Sequence, residues 1–274
     1  MRGAARRLLI GAVVGFALGP ACGPDRDPPP PGPTLDLPAR PAGAPGGRAV
    51  LRALRGLDVE AREERIVAEV ARGNVPDWLR RLERVEATME LDGRVRTVTF
   101  WATPDYLALG SDDDFAYVPL SPGNASRAAR AAGGALPTPG LVDAVWRASG
   151  DRLIPIRLRP DEEMGSVRYL LRHDRLIRAQ RLQRDAPPGT FVAGHKLDVV
   201  RVGGSGAADR FALYGWHQSD GTPIQPLYPV DPDLAPHYSV GVRVVGMEIV
   251  IDGDTLALAE VLGDPDRARL LEAR

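Results

Sequence analysis

The sequence predicts an α+β fold, with a largely antiparallel sheet in the C-terminal part and helices packed on that sheet. Three observations predict it. Helical patterns fill the first and middle parts of the chain, strand patterns cluster late, and the dipeptides Asp92-Gly93 and Asp252-Gly253 mark tight turns. Helices followed by strands favour α+β over alternating βαβ units, which would build a parallel sheet.

The individual elements follow from local patterns. RVEATMELDGRVRTVTFWA predicts a hairpin, because Asp-Gly suits a type I′ turn, in which both central residues have positive φ. Counting outward from this turn places Ala87 opposite Val98 and Val85 opposite Phe100. The remaining patterns predict helices at Ala49–Arg72, from Ser121 to Ala132, from Thr138 onward, at Asp161–Gln183 and at Leu256–Leu271, and strands at Phe191–Val202, Arg210–His217 and Val242–Ile251.

The N-terminal segment MRGAARRLLIGAVVGFALGPACG has the features of an export signal. Three arginines precede the apolar run Leu8–Gly19, which is too short to span a bilayer, and small residues follow it. Cys22 comes next and is the only cysteine in the chain. This arrangement resembles a bacterial lipoprotein signal, with Gly19 where the usual pattern has leucine. It predicts a signal peptide over residues 1–21 and lipidation of Cys22. Ordinary secretion with nearby cleavage is the alternative.

The domain organisation follows from the change in composition after Cys22. Residues 23–47 contain nine prolines, five glycines and no aromatic residue, so we expect a proline-rich tether over 22–47. A helical segment over 48–73 and the α+β domain over 74–274 complete the chain. The folded domain is expected not to need residues 23–47.

The composition excludes several function classes. A lipidated Cys22 leaves the domain without a thiol, which rules out disulfides and cysteine-nucleophile enzymes such as the papain-like peptidases. The net charge is −1 at pH 7 and the charged residues are interleaved, so no nucleic-acid groove is predicted. No pattern indicates a cofactor. The expected location is the cell envelope, with the domain anchored to the membrane by its lipid and exposed to the periplasm or the cell surface.

His195 and His217 are the candidate catalytic residues. Alternation along their predicted strands puts each on an apolar face, and the two would meet if the strands are neighbours. A general base, a metal site completed by His237, Asp220 or Asp231, and a pair of core histidines all fit this placement. No spacing here matches a zinc motif. His173, in the middle of a predicted helix, is interpreted as a packing residue.

The candidate ligand-binding residues come from two segments. AGHKLDVV contains the only lysine of the chain, and alternation puts Lys196 and Asp198 on the face opposite His195. GWHQSDGTPIQPLYP is predicted to be a stiff, extended loop, because prolines are disfavoured in a central strand. The full set is Lys196, Asp198, Tyr214, Trp216, Gln225 and Tyr228. The alternatives are a same-face ion pair between Lys196 and Asp198, and a crossover loop whose aromatic residues cover the sheet edge.

Four segments carry a resemblance to a known group. RGNVPDWLR, WATPDYLALGSDDD, AGHKLDVV and YGWHQSDGTPIQPLY resemble motifs of a family of bacterial exported proteins and lipoproteins without an assigned activity. The family pattern continues with Tyr-Ser-His-Gly, and this chain has Val240 at the histidine position. That pattern is distantly similar to the Ser-His-Gly-Cys-x-Arg signature of L,D-transpeptidases, whose histidine and cysteine are both missing here.

Two functions are therefore expected as alternatives. One is a hydrolase-like or degenerate hydrolase-like domain that acts on cell-wall or carbohydrate material through His195 and His217. The other is a non-catalytic module that binds a ligand, with peptidoglycan or a carbohydrate as partner, or a structural envelope lipoprotein.

Overall fold

The computed structural model describes residues 32–203 and 210–272. The predicted signal peptide and the predicted lipidation site Cys22 lie outside the described residues. The described helices are α1 Gly47–Ala53, α2 Val59–Ala71, α3 Asp77–Arg80, α4 Pro122–Ala131, α5 Pro139–Ala148, α6 Val167–Gln183, α7 Leu258–Gly263 and α8 Pro265–Ala268. The described strands are β1 Glu83–Leu91, β2 Arg94–Ala102, β3 Ala108–Gly110, β4 Phe115–Tyr117, β5 Asp151–Arg152, β6 Val192–Ala193, β7 Leu197–Val202, β8 Arg210–His217, β9 Pro223–Val230, β10 Val240–Gly241, β11 Val245–Ile251 and β12 Asp254–Ala257.

Two four-stranded sheets organise the fold. The first has the order β1-β2-β11-β12 and is antiparallel throughout. The second has the order β10-β7-β8-β9, in which the short β10 is parallel to β7 and the other pairs are antiparallel. Helices pack on both sheets, so the predicted α+β class is confirmed.

The hairpin β1–β2 has the predicted register. Ala87 lies opposite Val98 and Val85 opposite Phe100, and the turn residues Asp92 and Gly93 have φ angles of 50° and 75°. Asp252 and Gly253 form a second such turn, between β11 and β12. The helix predicted at Leu256–Leu271 therefore starts late, because its first residues complete β12 before α7 begins.

Helix α5 lies between the two sheets. Its side chains Leu141, Val145 and Trp146 belong to the apolar core against the first sheet, and Val142 packs with Val200, Ala212 and Tyr214 of the second. Within this helix, Asp143 is partly exposed, and Arg147 and Ala148 are exposed. The helix is therefore covered on most of its surface and shows solvent a narrow polar stripe.

The predicted tether is in part packed on the domain. Leu35 is buried, its amide donates to the carbonyl oxygen of Arg80 at 2.7 Å, and the Leu82 amide donates to Pro33 at 2.8 Å. The Arg40 guanidinium donates to the Asn74 side chain at 3.0 Å. The segment from residue 32 onward is therefore not the free tether that the composition predicts. The two leucines between Pro33 and Pro38 gave no sign of this, because their partners lie far along the chain.

The remaining corrections concern element ends. The predicted helix Ala49–Arg72 is two helices, α1 and α2, whose apolar side chains join the main core. The long helix begins at Val167, where the Ser166 hydroxyl caps it, rather than at Asp161. The segment predicted as a stiff loop forms the strand β9 at the edge of the second sheet, where its prolines are tolerated. The helices of the described ranges include none with the length and apolar character that a membrane span needs.

Candidate functional site

A bend at Gly194–Lys196 separates β6 from β7 and places His195 and Lys196 in one buried cluster. Gly194 has a φ of 98°, which a side chain would strain, and strand alternation is lost at the bend. The His195 ring lies 5.7 Å from the Tyr117 ring, and Lys196 Nζ lies 5.6 Å from that same ring. The prediction that these two residues point to opposite faces is therefore wrong.

Asp105 is the central anion of this buried cluster. Its Oδ2 accepts from Arg181 Nη1 at 2.5 Å and from the Tyr117 hydroxyl at 2.6 Å. His195 Nε2 lies 3.3 Å from Oδ1, within ion-pair distance but not aligned for a hydrogen bond. Burial would raise the pKa of Asp105, and the charges of His195 and Arg181 lower it to about 2. Burial also lowers the pKa of His195 itself, against the opposing charge of Asp105.

Lys196 is buried beside this carboxylate cluster. Its ammonium donates to the carbonyl oxygen of Tyr238 at 2.6 Å and lies 3.3 Å from His173 Nδ1. Burial lowers the pKa of Lys196 to about 8. The predicted ion pair with Asp198 does not form, since each of the two side chains has other partners. Lys196 is 3% exposed, so it is not a surface contact for a ligand in this conformation.

Asp198 has one oxygen satisfied and one unpartnered. The Tyr106 hydroxyl donates to Oδ2 at 2.8 Å, whereas the buried Oδ1 has no hydrogen-bond partner. Burial raises the pKa of Asp198 to about 6, against the opposing influence of the Arg243 charge. The Arg243 guanidinium donates to the carbonyl oxygens of Thr103 and Val192 at 2.6 and 2.8 Å.

A distortion near the end of β8 redirects the next candidate residues. Gly215 and Trp216 have φ angles of 97° and 55°, and the pairing with β9 shifts register there. As a result, Tyr214 and His217 reach the same carboxylate: the Tyr214 hydroxyl donates to Asp143 Oδ1 at 2.9 Å, and His217 Nε2 lies 2.9 Å from that oxygen. Trp216 turns inward, where its indole N–H donates to the His195 carbonyl at 3.2 Å. Regular alternation along β8 would put Tyr214 and Trp216 on one face, and the structure shows that they point to different surroundings.

Asp143, Tyr214 and His217 line a surface cleft of about 490 Å³. We call this the α5 cleft, and it is lined by Asp143, Trp146, Arg147, Tyr214, His217, Asp220, Gly221, Pro223, Pro226 and Leu227. Of the six predicted ligand-binding residues, Tyr214 lines it. Lys196, Asp198 and Trp216 are buried behind it, and Gln225 and the exposed Tyr228 are not among its lining residues.

The two candidate catalytic histidines take different partners. His195 is 1% exposed beside Asp105, and His217 is 3% exposed beside Asp143. No three of the described histidines, cysteines and carboxylates are grouped so that they could hold a metal ion. The general-base interpretation therefore has no accessible histidine pair to support it.

The sequence interpretation missed the residues on which the α5 cleft depends. Asp143 and Arg147 are the charged residues of α5, spaced i, i+4 in an otherwise apolar helix, and that isolated pair is the signal that could have found them. Asp105 and Arg181 carried no such signal, because 76 positions separate them and the fold alone brings them together.

Comparison of the chain with family models, with curated proteins and with solved structures gives no match. No relative therefore supplies a function, and the proposals below rest on the geometry of the α5 cleft and the buried cluster.

Asp198→Asn should gain stability relative to the native protein as the pH rises from 4 to 7. The folded pKa of Asp198, about 6, is above its ordinary value of 3.8, so the folded state holds a proton that the unfolded chain has released. The contribution of Asp198 to native stability therefore falls across this window, and asparagine removes that contribution. The difference in unfolding free energy should change by about 3 kcal/mol at most.

Urea unfolding of both proteins at pH 4, 5, 6 and 7 measures this difference. Other titrating groups, such as His173, are present in both proteins and cancel in the comparison. A difference that stays constant over this range would contradict the raised pKa of Asp198.

Proposed function

We propose that the protein is an envelope-anchored lipoprotein whose domain binds a polar cell-wall ligand in the α5 cleft without catalysing a reaction. The observation that carries the proposal is the cleft itself. An exposed guanidinium, two carboxylates and a tyrosine hydroxyl converge there above a wall of proline and leucine. Concave sites with a few convergent polar groups are the usual places of ligand binding. The envelope location follows from the predicted signal and Cys22.

The position of the histidines favours binding over catalysis. His195 lies inside the buried cluster, away from the lining of the cleft. The His217 side chain is 2% exposed, and its Nε2 is engaged with Asp143. A general base must reach the proton that it removes; His195 does not line the cleft, and the contact of His217 Nε2 with Asp143 holds that ring in place.

One observation favours a hydrolase as the second candidate. The His217–Asp143 contact of 2.9 Å is the pairing in which a carboxylate orients a catalytic imidazole. In that function His217 would rotate towards the cleft and activate a water molecule, since the domain has no cysteine nucleophile.

Co-sedimentation with purified, insoluble peptidoglycan tests both candidates. We expect the native protein to sediment with it and Arg147→Ala to bind about tenfold more weakly, because a charge-assisted hydrogen bond contributes about 1.5–3 kcal/mol. Arg175→Ala is the matched control, since Arg175 is an exposed arginine of another helix, α6.

The outcomes separate the candidates. A native protein that does not sediment with peptidoglycan would overturn the proposal. Soluble fragments released by the native protein, and not by Asp143→Asn, would establish the hydrolase instead.

A further inference from the structure

The α5 cleft continues across α5 into a second depression. This neighbour has a volume of about 290 Å³ and is lined by Thr88, Met89, Glu90, Gly140, Asp143, Arg147, Leu270 and Glu272. Asp143 and Arg147 line both depressions. The two adjoining depressions are together called the α5 groove here, and these two side chains lie where they meet.

The groove follows from the position of α5 between the sheets. One rim is the β8–β9 hairpin, and the other is the end of β1 with the C-terminal turn Arg269–Leu271. The helix fits closely beneath this second rim: the Thr138 hydroxyl donates to the Leu271 carbonyl oxygen, and a Cβ on Gly140 would approach that oxygen to 2.6 Å. The floor and both rims are therefore parts of the packed fold.

Charge alternates along the groove. Arg147 lies at its centre, exposed, and its guanidinium forms no ion pair with a residue of the described part. Asp220 lines one half, and Glu90 and Glu272 line the other; all three are exposed. The Asp143 carboxylate beside Arg147 is already engaged by the Tyr214 hydroxyl and by His217 Nε2. A ligand that complements this pattern has a central negative group between two positive groups.

A buried polar atom at the inner wall also lacks a partner. Trp146 lines the α5 cleft and is 8% exposed, and its indole Nε1 is buried with no hydrogen-bond acceptor. Asp198 Oδ1 is buried and unpartnered as well. Unsatisfied buried polar atoms are rare in folded proteins, and each needs an explanation.

The aromatic residues favour a peptide over a glycan. Sugar rings bind on exposed aromatic faces. Here the Trp146 ring is stacked with His217 at 5.6 Å between centroids, and the Arg152 guanidinium lies 4.3 Å from its centroid. Tyr214 is also buried, with its hydroxyl engaged by Asp143. The groove therefore offers charges and hydrogen bonds rather than a platform for stacking.

We infer that the ligand of the α5 groove is an extended peptide, in which a carboxylate that pairs with Arg147 lies between two ammonium groups that pair with Asp220 and Glu272. The inference rests on the proposed function and names the class of cell-wall component that is bound. A chain of this kind occupies both halves of the groove at once, which a single sugar or amino acid cannot do.

Isothermal titration with synthetic ligands tests the inference. The probes are the end-blocked tripeptide Lys-Glu-Lys, the same peptide with glutamine at its centre, a version with both lysines acetylated, and the neutral tetrasaccharide chitotetraose. We expect Lys-Glu-Lys to bind the native protein at least tenfold more tightly than each of the other three.

Variants assign each contact. Arg147→Ala should bind the glutamate and glutamine peptides equally, because the partner of the carboxylate is gone. Asp220→Asn and Glu272→Gln should each weaken Lys-Glu-Lys and leave the acetylated peptide unchanged, and Arg175→Ala should behave as the native protein.

Two results would overturn the inference. One is chitotetraose binding more tightly than the peptide, and the other is a preference for glutamate that survives in Arg147→Ala. If the native protein still sediments with peptidoglycan in either case, the proposed function stands and the ligand class alone is wrong. If it does not sediment, the proposed function itself fails.

Discussion

Replacing Asp105 with asparagine lowers the free energy of unfolding by about 3–5 kcal/mol, the usual cost of removing one partner of a buried ion pair. The Arg181 side chain is 5% exposed and the Asp105 side chain 0% exposed. The variant therefore leaves a buried guanidinium without its anion. Asparagine keeps the size of the side chain, so the loss measures charge rather than packing. Urea unfolding at pH 7 gives the value.

The stabilisation that Asp105 contributes should depend on pH in a definite direction. The folded pKa of Asp105, about 2, is below its ordinary value of 3.8. The contribution of Asp105 to the free energy of unfolding is therefore fully present above pH 4. It is lost as the pH falls from about 4 towards 2. The control is Glu163→Gln, which breaks the exposed ion pair with Arg168. It should leave the free energy of unfolding in urea unchanged. An Asp105→Asn variant as stable as this control would show that the buried cluster contributes nothing.

Removing residues 32–46 should lower the free energy of unfolding by about 5 kcal/mol, relative to a chain that begins at Gly32. Burial of one leucine contributes about 2–3 kcal/mol, and each lost backbone hydrogen bond contributes about 1 kcal/mol. Leu35, the amide bonds to Arg80 and from Leu82, and the Arg40–Asn74 contact all disappear. Thermal unfolding of the two chains, followed by circular dichroism, measures the loss.

A point variant of the same segment checks that the loss of stability comes from lost contacts and not from shortening the chain. Leu35→Ala should cost about 2–3 kcal/mol, within the range for a buried leucine. Leu182→Ala, at a residue that is 83% exposed, should be close to neutral. If the two chains are equally stable, the prediction is wrong and residues 32–46 do not stabilise the domain.

The sequence predicted the parts of the fold that local patterns control. The β1–β2 register follows from one Asp-Gly turn and from alternation, and β8 has the predicted bounds Arg210–His217. Thr138 caps α5 as its side chain and position suggest. In each case the deciding contacts are made by neighbours in the chain or across a tight turn.

The candidate site was predicted less well, because two backbone distortions decide it. Gly194 and the pair Gly215–Trp216 interrupt alternation, and each redirects the side chains that follow. A glycine within a strand pattern is a sign of such a break, but it does not tell which way the next side chain turns. The partners Asp105, Asp143 and Arg181 belong to other elements, and no local pattern predicts with which residues they pair.

The prolines of β9 bear on how the molecule behaves when many copies are crowded together. A strand at the edge of a sheet presents unpaired amides, and those amides are a template on which another chain can add as a new strand. Pro223, Pro226 and Pro229 have no amide hydrogen, and they interrupt the row of donors at every third position of β9. A neighbouring copy therefore cannot form a continuous ladder of backbone hydrogen bonds with β9. This protects the protein from edge-to-edge aggregation.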